Sequence, residues 1–98
     1  MIVYTDEAIE QVRTLRRHYE TLARDAAIRA LDRALEDAEA KIERAPGAGL
    51  PAPRPYPQLA RAGRVWIKSG RYWIAYRTEP ATAIVGVFFE TANIPGRL

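Results

Sequence analysis

Between residues 64 and 77 the chain concentrates the side chains most able to meet a partner: Arg64, Trp66, Lys68, Arg71, Trp73 and Arg77. Guanidinium and ammonium groups attract phosphate and carboxylate, and indoles beside them supply the contact energy that aromatic and Arg residues carry in interfaces. Cutting RNA by 2′-hydroxyl attack needs more than cations. It needs a base, an acid for the leaving group and charge for the phosphorane. No placed acid or base accompanies these cations. The single histidine, His18, falls on the polar side of a helical stretch with Arg16 and Arg17. Asp and Glu never cluster with it, so no metal site is expected. No cofactor is implied.

These residues belong to two alternating runs, 64–68 and 71–77, joined by Ser69-Gly70. Two β-rich runs around a Gly-containing dipeptide predict a hairpin. With Ser69-Gly70 as the loop, Lys68 lies opposite Arg71 and Trp66 opposite Trp73. Side chains alternate across a strand. One face then carries Arg64, Trp66, Lys68, Arg71, Trp73 and Arg77, and the other Val65, Ile67, Tyr72, Ile74 and Tyr76. The first face is expected to be an exposed landing surface. Tyr72 and Tyr76 are expected in the core, with hydroxyls at its rim.

The remaining elements position this hairpin. A short β run at 1–4 precedes Thr5, an N-cap candidate with Asp6 and Glu7 in the first turn. Ala8, Ile9, Val12, Leu15, Tyr19 and Leu22 predict an amphipathic helix over 6–22. Asp25 is placed as cap of a second helix over 26–44, striped by Ala27, Leu31, Ala34, Leu35, Ala38 and Ile42. Arg33–Asp37 and Asp37–Lys41 have helical ion-pair spacing. Pro46-Gly47 ends this helix, and the short link makes the pair an antiparallel hairpin. Residues 45–57 hold five prolines and two glycines, which predicts an extended connector along one edge. In the last β run, 82–90, Ala83, Val85, Val87 and Phe89 are expected on one face and Ile84, Gly86 and Phe88 on the other. Apolar residues on both faces predict a central strand. The tail from Thr91 is expected to be irregular. The fold class is α+β, in the order β-α-α-β-β-β, with a helical hairpin on one face of a small, mostly antiparallel sheet.

Ninety-eight residues make one domain. The net charge of +3 is uneven. Residues 1–44 hold eight Lys/Arg and ten Asp/Glu, and residues 45–98 hold seven and two. A basic half implies an acidic partner. The chain has no cysteine, no apolar leader at its start and no membrane-length apolar run. A cytoplasmic location is expected.

Taken together, the short first strand, the two helices, the Pro/Gly-rich connector, Gly-Arg-Tyr-Trp-Ile-Ala-Tyr-Arg (70–77), Ile84-Val-Gly-Val-Phe-Phe89 and the closing Asn93-Ile-Pro95 resemble the RelE/ParE superfamily of type II toxin–antitoxin toxins. The resemblance covers nearly the whole chain. Its most specific part is the Tyr-x-Ile-x-Tyr-Arg strand. It implies one of two activities: RelE-like cleavage of mRNA in the ribosomal A site, or ParE-like poisoning of DNA gyrase without hydrolytic chemistry. Aligned on that strand, Arg64 keeps a cation. Trp66 and Trp73 stand where RelE-like enzymes carry a Lys and an Arg. No cation is present at 89–93, which argues against a ribonuclease. Phe89, Ala92 and Asn93 depart from the His-x-x-Arg-Asp pattern common before the Ile-Pro of ParE-like toxins. The ParE-like reading implies gyrase as target and a cognate ParD-like antitoxin with an acidic C-terminal segment, in a hetero-oligomeric complex. It also makes Phe89 and Asn93 candidate contacts beside the cationic face. A RelE-like endoribonuclease, or an inactive toxin that serves only as antitoxin-binding co-repressor, stands as the alternative.

Overall fold

A computed structural model describes residues 2–97. Thr5 begins the first helix as expected, its Oγ1 accepting from the Ala8 N–H at 3.3 Å. Helix α1 spans Asp6–Thr21 and α2 Asp25–Arg44. Arg24, not Asp25, occupies the N-cap position of α2, and its side chain makes no capping bond. The reason lies in the preceding turn. Ala23 takes a left-handed φ of 53°, and the Arg24 N–H returns to the Tyr19 carbonyl at 2.8 Å. That six-to-one bond closes α1, so α2 starts at once and Asp25 falls inside its first turn. Neither Arg33–Asp37 nor Asp37–Lys41 forms an ion pair among the described residues. Instead Arg16 of α1 pairs with Asp32 of α2, linking the two helices.

The strands are β1 (Val3–Tyr4), β2 (Val65–Ser69), β3 (Tyr72–Arg77) and β4 (Ala83–Phe89). They form one sheet in the order β1-β4-β3-β2. The expected α+β architecture is therefore found. β4 is central, parallel to β1 and antiparallel to β3. Helix α1 lies over β4, and α2 over β2 and β3. Tyr19, Leu31, Leu35, Ile42, Tyr72, Ile74, Tyr76, Ile84 and Val87 fill the layer between helices and sheet.

The hairpin register differs from expectation. Ser69 pairs with Tyr72, and Lys68 with Trp73, so the loop is Gly70-Arg71. Two residues fix this. Gly70, at φ +55°, supplies the positive φ that a two-residue hairpin loop wants at its first position. Ser69 is held in the strand, its buried hydroxyl donating to the Ala34 carbonyl at 2.7 Å. The slip moves Trp66 opposite Ala75. Because each residue's partner moves by two positions, every side chain stays on its expected face.

On β4 the expected faces do not hold. A bulge sets Ala75 against Gly86 but Tyr76 against Ile84, leaving Val85 unpaired. The extra residue breaks the alternation. Ile84 joins Val87 and Phe89 on the helix side, while Val85 and Phe88 share the opposite side.

A second apolar cluster covers that opposite side. Trp66, Trp73, Ala75, Phe88 and Ile94 form its buried centre, with Leu50, Tyr56, Leu59 and Val85 packed against it. The connector therefore does more than follow an edge. Leu50 pairs with Trp66 through two backbone hydrogen bonds of 2.7 and 2.8 Å. Gly49 lets the chain approach this closely, since a Cβ there would sit 2.8 Å from the Trp66 carbonyl oxygen. The chain then crosses the sheet, burying Ala52 and Pro53. The tail adds Ile94 and a short 3-10 turn, Pro95–Arg97.

Candidate functional site

Trp66 and Trp73 lie on the same face, away from the helices, as the alternation required. They are not a landing surface. Trp66 is 1% exposed and Trp73 3%. The connector and tail cover them, because burying two indoles removes some hundreds of Å² of apolar surface from water. Trp66 packs against Phe88 at a ring separation of 5.9 Å. Arg54 of the connector and Lys68 each stand 5.5 Å from the Trp73 ring. The expectation of indoles exposed among guanidiniums is corrected to indoles roofed over, with cations at the margins.

Those cations fall into two groups, at the two ends of the hairpin. Arg64 and Lys68 are four residues apart, so the groups are separated by about 13 Å along the strand.

At the loop end, Lys68 and Arg71 both engage Glu90. Lys68 Nζ lies 3.1 Å from one carboxylate oxygen, and Arg71 Nε donates to the other at 2.7 Å. The Arg71 bond, and then the Lys68 bond, hold the Glu90 carboxyl below the usual carboxylate range. Arg71 also stands 4.9 Å from the Phe89 ring, which meets Tyr72 edge-on at 5.6 Å. Phe89 belongs to the helix side and is half-buried. This end is therefore a partly neutralised, aromatic-backed patch. It opens onto a cavity of about 640 Å³, walled by Ala23, Ala26, Ala27 and Ala30 with Arg24 at its margin. Asn93 is exposed on the tail and lines a neighbouring hollow with His18 and Thr91.

At the other end, Arg64 and Arg77 occupy the position one step beyond the Val65–Tyr76 pair. Like charges directly opposite each other destabilise a sheet. Arg61, in the turn before Arg64, joins them. Partial burial, and then the charges of Arg61 and Arg77, lower the Arg64 pKa. None of the three forms an ion pair with a described residue. The Arg77 Nε is buried without an acceptor, a state that costs about 1–3 kcal/mol. These residues line a cleft of about 400 Å³, with Glu7 and Gln11 of α1 on its far side.

Sequence reasoning named Arg64, Lys68, Arg71 and Arg77 but missed Arg54, Arg61 and Glu90 as their companions. Arg54 and Arg61 sit in an aperiodic segment, where no pattern reports direction. Glu90 follows the last strand residue, and its two cationic neighbours become visible only once the register is known. Gln11 was also missed. It reaches from α1 to accept the Val87 N–H at 2.7 Å on β4, beyond the residues that β1 pairs with.

Among the described residues no three His, Cys, Asp or Glu side chains come together as metal ligands. Among the same residues no helix is long and apolar enough to cross a membrane. No protein-family model matches the chain, and no curated protein matches it.

Proposed function

We propose that this chain is the toxin component of a type II toxin–antitoxin module, ParE-like, acting on DNA gyrase in the cytoplasm and neutralised by a cognate antitoxin. The observation that carries the reading is the state of the sheet face opposite the helices. Where the RelE-like ribonucleases it resembles carry a Lys and an Arg, this chain carries Trp66 and Trp73, and both are sealed in an apolar cluster. A face so plugged offers neither acid nor base to a 2′-hydroxyl. Binding without hydrolysis suits it better.

The contact surface then consists of what remains outside: Lys68 and Arg71 with Phe89 at the loop end, Arg64 and Arg77 at the other, and Asn93 on the tail. The antitoxin would be a small protein with an acidic segment. The seven cations against two carboxylates of residues 45–98 favour fast association with such a segment.

A RelE-like endoribonuclease is the second reading. The Arg61–Arg64–Arg77 cleft favours it, since phosphate would be at home there. Expressing the protein alone separates the two. DNA damage and altered supercoiling with intact mRNA are expected. Cleaved ribosome-associated mRNA overturns the gyrase reading, and normal growth favours a co-repressor that binds antitoxin only.

A further inference from the structure

We infer that the cleft between Arg61, Arg64 and Arg77 is a binding site for a tetrahedral phosphate dianion, free or at the end of a phosphomonoester. This stands whether or not the chain is a toxin.

The fold holds three guanidiniums together against their mutual repulsion. Arg77 is fixed by its pairing with Ala83 of β4. Arg64 immediately precedes β2, and the turn in which its N–H bonds to the Arg61 carbonyl at 3.2 Å holds Arg61 beside it. No described carboxylate pairs with any of them, although the Glu7 side chain lines the same cleft. Three cations and one carboxylate leave a charge of +2. A phosphomonoester carries about −1.5 to −2 at neutral pH, which matches that excess. A single carboxylate would neutralise half of it and leave most of the guanidinium donors unused. Arg forks fit phosphate oxygens in pairs. None of the three guanidiniums is engaged by a described carboxylate, so an anion drawn into the cleft gains charge-assisted bonds without displacing an ion pair. A volume of about 400 Å³ accommodates phosphate with a sugar attached.

The test is a titration of the ¹⁵N-labelled protein at constant ionic strength, following the backbone amides of Gly86 and Gln11, both in the cleft wall. The probes are inorganic phosphate, adenosine 5′-monophosphate, adenosine and sodium chloride. Saturable shifts are expected with the two phosphate compounds and none with adenosine or chloride. Tighter binding of the mononucleotide assigns the site to a phosphorylated nucleotide end, and equal binding assigns it to free phosphate. Arg64→Gln with Arg77→Gln should weaken binding about tenfold or more, while Arg54→Gln leaves it unchanged. Should the double variant unfold, Arg61→Gln carries the comparison, because Arg61 lies outside the strands. Equal shifts with chloride, or wild-type phosphate affinity in these variants, overturn the proposal. So does a polyglutamate peptide that binds the same amides more tightly than phosphate, since the cleft would then belong to an acidic protein partner.

Discussion

The phenolic oxygens of Tyr19 and Tyr72 lie 2.6 Å apart inside the core, tying α1 to β3 across 53 residues of chain. Each hydroxyl is satisfied by the other. Removing one leaves its partner buried and unpaired, which costs about 1–3 kcal/mol, whereas removing both is nearly neutral. Tyr19→Phe and Tyr72→Phe should therefore each lower the urea midpoint, and the double variant should recover most of the loss. Additive losses in the two-variant cycle would show that the pair contributes nothing as a pair.

Three phenols, Tyr72, Tyr4 and Tyr76, set an alkaline limit. Burial, and then the bond to Tyr19, raise the Tyr72 pKa. Burial, and then the bond to Glu39, raise that of Tyr4, and burial raises that of Tyr76. In each case the folded value lies above the unfolded one. Their contribution to stability is complete below the unfolded value of about 10. It is lost as the pH climbs from there toward the folded values. Urea midpoints should be flat near about pH 8 and fall above about pH 10. Tyr4→Phe should flatten that fall.

Trp66→Ala and Trp73→Ala are expected to destabilise by about 3–5 kcal/mol each, because both indoles fill the second cluster. Any loss of toxicity in these variants will accompany a lower unfolding midpoint. A Trp73→Ala protein with wild-type stability would show that the connector does not roof the sheet in solution.

Charge reversals separate contact from folding. Arg71→Glu loses a solvent-screened pair with Glu90 that contributes little to folding. Arg64→Glu replaces a repulsion with an attraction toward Arg77 and should leave the midpoint equal or higher. Both should retain the wild-type circular dichroism spectrum and, on the proposed toxin function, lose the growth inhibition that reading predicts. Toxic, stable variants at both positions would remove the hairpin ends from the target surface.

The alternation of residues 64–77 made the two faces of the hairpin legible, since the period-two pattern is local and survives a shift of partner. The loop was displaced by one residue because Ser69 and Gly70 both suit turns, and the Ala34 carbonyl that holds Ser69 in the strand is a tertiary contact with no local signal. The bulge at Val85 left no mark in the sequence, as every residue of 83–89 is apolar or small. The connector hid most. Alternating prolines announce an extended path but not its direction, so the roof over Trp66 and Trp73 could not be read. The cations were found by type, and their division into two groups depends on register and on that roof.

The parallel pairing of Val3 with Ala83 joins positions 80 residues apart. The helical hairpin ends at Arg44 and β4 at Phe89, so at about 5–20 residues per second the completed helices wait roughly 2–9 s for the sheet they rest against. Leu31, Leu35 and Ile42, buried in the finished fold, have no sheet to cover them over that interval, which leaves the nascent helices open to off-pathway association.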